Sequence, residues 1–338
     1  PDEPRRRLRG GKAAMPWHDV TTALTGDVAG ALGELARVRW ARATGQSLPV
    51  PGAGAAPFWP PSLEVTARDV VTAIARTEPP EQDSAIVNEI EIEIEIEIEE
   101  MLLDSIRAAR SLIYLESQYF ASEAVAEALA ERLEGPDGPE VVVINPQEAQ
   151  GALEDAAMHR ERETLLAGLK ARDRFDRFRI WAPVNAAGEQ IYVHAKVCVI
   201  DNWLLRVGSS NINSRSMGFD TECDVAVVAL DTATRRAIAA VRNALLAEHL
   251  GASPDGFARE IERRGSMVRA ADTLNIPGGR GVRRIEPKDQ NALADMVAES
   301  KVFDPRYDDD ARARKGVTSR HVVIGLGLAV AGYLLWRM

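Results

Sequence analysis

The sequence predicts an α/β fold, in which strands alternate with helices along the chain. Residues 140–145 (EVVVIN) form a nearly all-apolar run of strand length, which is typical of a sheet covered on both faces. Residues 224–230 form a second such run, and a helical stretch over residues 232–250 follows it directly. The 338 residues, 46% of them hydrophobic, suffice for a sizeable core. Together these observations predict an α/β sandwich.

Before this core, residues 1–14 and 46–61 are predicted to be loops, whereas residues 19–40 weakly echo residues 224–245, with strand character followed by a helical run. Residues 46–61 are rich in Gly, Pro and Ala, and a strand is predicted over residues 65–76. Residues 89–100 repeat Glu-Ile with seven acidic residues, an alternation that by itself favours a strand. We predict a helix over residues 82–110 instead, because a serine stands at a cap position and the run MLLDSIRAA is helix-periodic.

The middle of the chain contains the alternation on which the fold prediction depends. Short apolar runs recur between longer, charged and amphipathic stretches, and the turn GPDGP separates one helix from the next strand. Strands are predicted over residues 112–116, 140–145, 178–181 and 224–230, and helices over residues 121–133, 153–171 and 232–250.

The C-terminal region is predicted to be peripheral. Residues 253–320 contain helical patches and Gly/Pro-rich breaks, and we interpret them as peripheral helices and a linker. Residues 322–336 (VVIGLGLAVAGYLLW) are uncharged, although a full membrane span needs about 20 residues. We interpret residues 321–338 as a short, truncated transmembrane helix, with a docked C-terminal helix as the alternative. Four basic residues between 312 and 320 would place the preceding region on the cytoplasmic side.

Charge and cysteine content narrow the classes of function. A net charge of -10 argues against tight non-specific binding of nucleic acid, which depends on neutralising phosphates. The acidic repeat weakens that argument because it supplies much of the charge. Cys198 and Cys223 lie in apolar, strand-like contexts and are interpreted as reduced thiols. No His/Cys cluster has metal-ligand spacing, so we predict neither a metal nor another cofactor.

One stretch, residues 191–211 (IYVHAKVCVIDNWLLRVGSSN), concentrates the candidate chemistry. Its fixed residues form the pattern H-x-K-x4-D-x6-G-S-x-N, with His194, Lys196, Asp201, Gly208, Ser209 and Asn211. Alternation over residues 191–200 predicts a strand that presents the imidazole and the ammonium on one face, and a second strand is predicted over residues 203–207. The set suits a phosphate ester: the cation and amide can hold non-bridging oxygens, while the imidazole attacks phosphorus or moves a proton.

This pattern resembles the HKD motif of the phospholipase D superfamily at every fixed position. Residues 111–120 (SLIYLESQYF) and 211–228 (NINSRSMGFDTECDVAVV) are similar to the stretches that flank that motif. The resemblance implies a mixed sheet flanked by helices on both faces. It also implies that residues 63–252 form a C-terminal HKD catalytic lobe.

Residues 15–20 (MPWHDV) and 35–40 (LARVRW) resemble the segment that follows the first HKD motif in two-lobed members of the superfamily. We therefore interpret residues 1–62 as a remnant of an N-terminal lobe, followed by a loop. No second H-x-K-x4-D occurs in the sequence. We expect the chain to begin after its first motif and to supply half of a two-lobed site.

In the superfamily, two HKD motifs face each other across a cleft. One histidine attacks phosphorus and forms a phosphohistidine, and the other acts as acid and base. For this chain the resemblance implies that His194 is the acid and base, that Asp201 fixes the hairpin and that Glu222 hydrogen-bonds the imidazole. The phosphate oxygens would be bound by Lys196, Ser209 and Asn211.

Three functions remain open from the sequence. We expect a phospholipase D or phosphatidyltransferase that acts on phospholipid at a membrane, with a missing N-terminal HKD lobe completing the site; a cardiolipin-synthase-like transferase is a variant of this. The alternatives are a one-motif phosphodiesterase or nuclease that pairs two chains, and an inactive membrane-associated scaffold. The acidic balance and the apolar tail favour lipid over nucleic acid, with the bacterial inner membrane as the expected location.

Overall fold

The computed structural model describes residues 6–52, 59–78, 95–148 and 154–286. Within these ranges strands and helices alternate along most of the chain. In chain order the elements are β1 (Trp17–His18), α1 (Asp27–Thr44), β2 (Val71–Glu78), β3 (Glu95–Ile96), α2 (Glu97–Ala108), β4 (Leu112–Glu116), β5 (Phe120–Ala121), α3 (Glu123–Glu134), β6 (Glu140–Ile144), α4 (Glu154–Arg172), β7 (Phe178–Val184), β8 (Tyr192–Val193), β9 (Val197–Ile200), β10 (Leu204–Gly208), β11 (Ile212–Asn213), α5 (Ser214–Gly218), β12 (Glu222–Val228), α6 (Thr232–Leu250), α7 (Pro254–Arg264), α8 (Met267–Leu274) and β13 (Gly281–Arg284).

Nine strands form one mixed sheet in the order β13-β7-β6-β4-β9-β10-β12-β2-β3. The neighbours β4, β6 and β7 are parallel, whereas the remaining neighbouring pairs are antiparallel. Two small parallel pairs, β1 with β8 and β5 with β11, lie outside this sheet. The predicted α/β fold with a mixed sheet is therefore confirmed.

Helices cover both faces of the sheet. One apolar cluster joins the sheet to α2, α3 and α4, and the other joins it to α6, α7 and α8. Residues of β6 alternate between the clusters, because Val141 and Val143 belong to the first while Val142 and Ile144 belong to the second. This two-sided burial explains why the strand is almost entirely apolar.

Several elements begin and end where the sequence predicts. Strand β4 and helix α6 have the predicted bounds, and β6 is one residue shorter than predicted. Helix α6 is capped at its N-terminus by Asp231, whose side chain accepts a hydrogen bond from the backbone N–H of Thr234. At its C-terminus it is capped by Gly251, which adopts the left-handed conformation. Local capping residues thus fix both ends of this helix.

The predicted strand over residues 191–200 is wrong as a single element. Strand β8 covers Tyr192–Val193 and pairs in parallel with β1, whereas β9 covers Val197–Ile200 and belongs to the main sheet. The chain crosses from the small sheet to the large one at residues 194–196, and it leaves regular strand geometry there. The two motif residues in this crossing therefore owe their positions to two different sheets.

The first half of the Glu-Ile repeat, residues 89–94, lies outside the described residues. Its last part forms β3 and the start of α2. In α2 the buried side chains include Ile98, Leu102 and Ile106, which are spaced four residues apart and face the sheet. The helix predicted over residues 82–110 is therefore confirmed from Glu97 to Ala108.

The interpretation of residues 253–320 as peripheral is wrong for its first part. Phe257 of α7 is fully buried, α8 packs in the same cluster, and β13 pairs with β7 as the edge strand of the main sheet. Residues 287–338, including the predicted linker and the predicted transmembrane helix at 321–338, lie outside the described residues. Among the described helices, none has the length and apolar character needed to span a membrane.

The N-terminal segment lies on the surface of this core. Helix α1 has no buried residue, and within residues 6–52 the only buried side chain is that of His18. Strand β1 attaches the segment to β8, with the register Trp17 to Tyr192 and His18 to Val193. This contact brings residues 15–21 to the motif.

Candidate active site

The motif hairpin is tied to the neighbouring strand by Asp201. This residue begins the turn between β9 and β10, where it adopts a positive φ of 46°. Its carboxylate accepts hydrogen bonds from the backbone N–H groups of Arg110, Ser111 and Leu112, at 2.6, 2.8 and 2.7 Å, and from the Ser111 hydroxyl at 2.8 Å. Asp201 therefore joins the hairpin to the start of β4, at the end of the hairpin that is distant from His194.

The opposite end of β10 is held by a buried ion pair. Arg206 lies 2.6 Å from Asp224, with both side chains almost fully buried, and donates to the backbone carbonyl of Ser210 at 2.8 Å. The Ser210 hydroxyl donates to Asp224 at 2.6 Å. At Gly208, a Cβ atom would lie 1.9 Å from an oxygen of Asp224, so a side chain there cannot be accommodated. The motif glycine thus allows β10 to approach β12 closely.

His194 is paired with Asp19, a residue to which the sequence analysis gave no role. The distance from Nδ1 of His194 to Oδ2 of Asp19 is 2.9 Å, and the two side chains are 39% and 48% exposed. A carboxylate only accepts, so Nδ1 carries the proton and Nε2 is the nitrogen available to a ligand. The expectation that Glu222 hydrogen-bonds this imidazole is wrong, because Asp19 occupies that position.

Lys196 lies beside the imidazole and is largely buried. Its ammonium donates to the backbone carbonyl of His194 at 2.5 Å and lies 3.4 Å from the side-chain oxygen of Gln118. Burial lowers the pKa of Lys196 to about 8, although the charges of Asp19 and Glu222 act in the opposite direction. The ammonium is consequently charged at neutral pH and only partly hydrated.

Aromatic side chains form one wall next to these two residues. The ring of Trp17 lies 4.7 Å from that of Tyr192 and 5.3 Å from that of His194. The Tyr192 hydroxyl accepts a hydrogen bond at 2.7 Å from the side-chain amide of Gln118. These contacts fix the orientation of the imidazole plane from the side of β1.

A cavity of about 490 Å³ opens at these residues. It brings together the predicted phosphate ligands and the N-terminal segment. Its lining consists of Asp19, Val20, Thr21, His194, Lys196, Gly208, Ser209 and Asn211. Of the predicted site residues, Asp201 and Glu222 do not line it. His194 is the one histidine that the described part of the chain contributes to this cavity.

Ser209 and Asn211 lie on the far wall of the cavity and differ in their partners. The Ser209 hydroxyl donates to Glu222 and accepts from the backbone N–H of Cys223 at 3.0 Å. The side-chain oxygen of Asn211 is buried and has no hydrogen-bond partner among the described residues. A side-chain amide offers one acceptor oxygen and an NH2 group with two donors, so Asn211 can bind an oxyanion through its NH2 group.

A buried polar cluster lies behind the cavity. His18, Glu116 and His249 have donor atoms within 4.8 Å of one another, and they are the described residues whose types and spacing could suit a metal ion. The two imidazole Nε2 atoms lie 2.7 and 3.1 Å from the two oxygens of Glu116. Protons on these two nitrogens account for both distances as hydrogen bonds, whereas the other ring nitrogen of His249, Nδ1, is buried and has no hydrogen-bond partner among the described residues.

The family comparison agrees with the geometry of the motif. A family model described as "Cardiolipin synthase, PLD-like domain" matches residues 102–240, a range that includes the hairpin and most of the cavity lining. "Phospholipase D" of Phytophthora infestans is 34% identical over 116 residues, which cover 31% of this chain and 6% of the relative. Residues 102–240 of this chain thus resemble a phospholipase D-like domain.

Two further matches extend over more of the chain. "Phospholipase D alpha 1" of Carica papaya is 23% identical over 329 residues, covering 72% of this chain and 41% of the relative. The solved structure of phosphatidylserine synthase from Haemophilus influenzae is 11% identical with a TM-score of 0.40, covering 75% of this chain and 56% of that one. The chain thus spans less than half of the length of both curated phospholipases D.

The HKD motif indicates His194, Lys196 and the far wall of the cavity, but it does not indicate Asp19, Trp17 or Gln118. All three lie in stretches whose resemblance to phospholipases D was noted, namely residues 15–20 and 111–120. The resemblance of these stretches to phospholipases D could therefore have pointed to the three residues. Spacing alone could not reveal a contact between residues 175 positions apart.

Proposed function

We propose that this protein catalyses phosphoryl transfer at a phosphodiester bond, with His194 as general acid and base. The observation that carries this proposal is the pairing of His194 with Asp19 at a cavity that also receives Lys196 and Asn211. An imidazole with a fixed tautomer beside a cation and a free amide is a phosphate site that can also move a proton.

The proposed reaction has two steps. In the first, a histidine from a second HKD motif attacks phosphorus, and the protonated Nε2 of His194 gives its proton to the leaving alkoxide oxygen. In the second, Nε2 removes a proton from water or an alcohol as that oxygen attacks the phosphohistidine and the P–N bond breaks. Lys196 and Asn211 hold the non-bridging oxygens in both steps. General acid and base catalysis of this kind contributes about 10²–10⁴-fold.

We further propose that the cavity is one half of the complete site. The described residues supply a single histidine to it, and the two-step reaction requires two. A second HKD-bearing lobe is the proposed source of the nucleophile. A second copy of this chain is the alternative source, and the assay below separates the two.

Phospholipid is the proposed substrate, reached at a membrane surface. The family model's description and the phospholipase D relatives support a lipid phosphodiester. The same description favours a second candidate, transfer to a lipid alcohol in the manner of a cardiolipin synthase. With phosphatidylglycerol as substrate, hydrolysis releases phosphatidic acid and glycerol, whereas transfer between two molecules yields cardiolipin and glycerol. We also propose that the catalytic region lies on the cytoplasmic side of a bacterial inner membrane.

Turnover and mass should be measured together on detergent-solubilised full chain, with phosphatidylglycerol and phosphatidylcholine vesicles. An inactive monomer that gains activity when a separate HKD-bearing lobe is added supports the proposal that this chain supplies half of a two-lobed site. An active dimer that His194→Ala silences supports pairing of two chains. Unchanged turnover in His194→Ala would remove the catalytic assignment, and Asp104→Asn, an exposed change on α2, is the control. Binding of inorganic phosphate, followed by NMR at the His194 ring, tests the phosphate site without turnover.

A further inference from the structure

Behind the active-site cavity, three polar side chains form a network that does not touch the proposed substrate. Glu116 stands at the end of β4, His18 in β1 and His249 at the end of α6, and all three are at most 3% exposed. Nε2 of His18 lies 2.7 Å from one oxygen of Glu116, and Nε2 of His249 lies 3.1 Å from the other. The hydroxyl of Tyr114 also donates to Glu116. None of these residues lines the cavity.

The charges of the network are fixed by its members and by Glu248, which precedes His249. Burial lowers the pKa of His18, but the charge and hydrogen bond of Glu116, together with the Glu248 carboxylate 3.8 Å from Nδ1 of His18, outweigh burial and raise the pKa to about 9. Burial lowers the pKa of His249. Burial raises the pKa of Glu116, but the charge and hydrogen bonds of the two histidines hold that pKa well below its usual value. His18 is therefore an imidazolium against a carboxylate, with His249 as a neutral second donor.

The network is the main attachment of the segment that carries Asp19. His18 is the only buried residue within residues 6–52, and it precedes Asp19 directly. The other attachments include the pair β1 and β8, in which the backbone N–H of His194 donates to the carbonyl of His18 at 2.8 Å, the Trp17 ring against Tyr192, and an ion pair between Arg42 and Glu78. A two-residue strand and a helix without buried residues provide little further restraint.

We infer that Glu116, His18 and His249 are positioning residues, which hold Asp19 where it fixes the tautomer of His194. This inference rests on the proposed acid and base role of His194, since it assigns a task to the residues behind it. The network acts through Asp19. The phosphate ligands Lys196, Ser209 and Asn211 lie on or beside the β9–β10 hairpin and do not depend on this anchor.

The experiment compares Glu116→Gln, His18→Ala and His18→Gln with wild type in the full chain, supplied with the lobe that completes the site. Glutamine at 116 presents an NH2 group to one of the two ring donors and removes the charge. Glutamine at 18 keeps a donor near the position of Nε2 and is the conservative variant. Arg177→Ala is the structural control, because Arg177 bonds the carbonyls of Leu133 and Gly138 near the starts of β6 and β7, away from the cavity.

Two readouts separate positioning from general loss of stability. Ring 15N NMR of His194 should show a single Nδ1–H tautomer in wild type and in Arg177→Ala, and a mixture in Glu116→Gln and His18→Ala. In the same variants kcat should fall about 10²-fold, as expected for a small misplacement of a catalytic group, while KM changes little. His18→Gln should lie between wild type and His18→Ala in both readouts.

Combining Glu116→Gln with Asp19→Asn gives the decisive comparison. If the network acts through Asp19, Glu116→Gln should cause no further loss of kcat in the Asp19→Asn background. Losses that multiply, or an unchanged His194 tautomer in Glu116→Gln and His18→Ala, would overturn the inference. Purified protein that retains one equivalent of zinc, lost in His249→Ala, would overturn it as well. The tautomer is read without turnover, so a failed proposed function is distinguished from a failed positioning network.

Discussion

At the scale of single residues, the pairing of His194 with Asp19 assigns each ring nitrogen a task. The carboxylate holds Nδ1 in its protonated form, so Nε2 is presented to the cavity. Glu222, which was expected to play this part, does not line the cavity and instead accepts a hydrogen bond from the Ser209 hydroxyl. The proposed acid and base role of His194 therefore depends on a side chain outside the HKD motif.

Asp19→Asn should lower kcat by about 10²–10⁴-fold with little change in KM. An amide can present an NH2 group to Nδ1 and so stabilise the wrong tautomer, whereas the phosphate ligands remain in place. Steady-state kinetics on a phosphodiester, in the completed site, measure both constants. Asp104→Asn changes an exposed carboxylate to an amide on α2 and should leave the kinetics as in wild type. An equal loss of kcat in the two variants would contradict the assignment.

Asp201 should matter for stability more than for chemistry. Asp201→Ala removes the acceptor of four hydrogen bonds and places alanine at a φ of 46°, so the free energy of unfolding should fall by about 3 kcal/mol. Asp201→Asn keeps one oxygen and tolerates that backbone conformation, so it should lose about 1 kcal/mol. Urea unfolding measures the free energy of unfolding of both variants. Equal losses in the two variants would show that the hydrogen bonds accepted by Asp201 are not the cause.

Lys196 should set an alkaline limit on phosphate binding. Burial lowers its pKa to about 8, so its charge is present below that pH and is lost above it. The dissociation constant of inorganic phosphate should therefore rise above pH 8 in wild type, as measured by calorimetry. In Lys196→Arg, whose guanidinium stays charged, the limit should move to higher pH. A limit that stays near pH 8 in that variant would point to another group.

At the scale of elements, β1 and α1 form a surface segment in which the imidazolium of His18 is the one buried side chain within residues 6–52. His18 has a pKa raised from 6.5 to about 9 in the folded protein. A raised pKa means that the stabilisation is complete below about pH 6.5 and is lost as pH rises toward 9. The contact of β1 with the core through His18 is consequently most stable at mildly acidic and neutral pH.

The free energy of unfolding should fall by about 3 kcal/mol more between pH 6 and pH 9.5 in wild type than in His18→Gln. The variant has no titrating group at that position, so the difference isolates the imidazolium. Urea unfolding at the two pH values gives the comparison. Parallel curves for the two proteins would mean that His18 gains no proton affinity on folding.

The elements also show what local sequence can predict. Strand β4 and helix α6 are bounded by residues whose preferences act within one turn, such as Asp231 and Gly251, so their ends follow from the sequence. The break between β8 and β9 depends on β1, which pairs with β8 from a distant part of the chain. Strand β13 depends on the exposed edge of β7. Such breaks and edge strands are tertiary effects and leave no local pattern.

At the scale of the whole molecule, the mixed sheet was predictable because apolar runs such as β6 need cover on both faces. Of the site, the sequence indicated the residues held on one hairpin, from His194 to Asn211. It did not indicate Asp19, because the contact spans 175 residues, nor the network of Glu116, whose partners lie 98 and 133 residues away. Contacts of that length depend on the packed fold.

The long sequence separation between Asp19 and His194 also affects the order in which the site forms during folding. Pairing His194 with Asp19 closes a loop of 175 residues, and loop closure of that length is unfavourable until the sheet between them exists. After dilution from urea, the sheet should therefore appear by circular dichroism before the catalytic pair is assembled. Trp17, stacked 5.3 Å from the His194 ring, offers a fluorescence probe of that last step. A refolding intermediate with a complete sheet, in which Trp17 does not yet contact His194, would be a folded core that lacks the proposed catalytic pair.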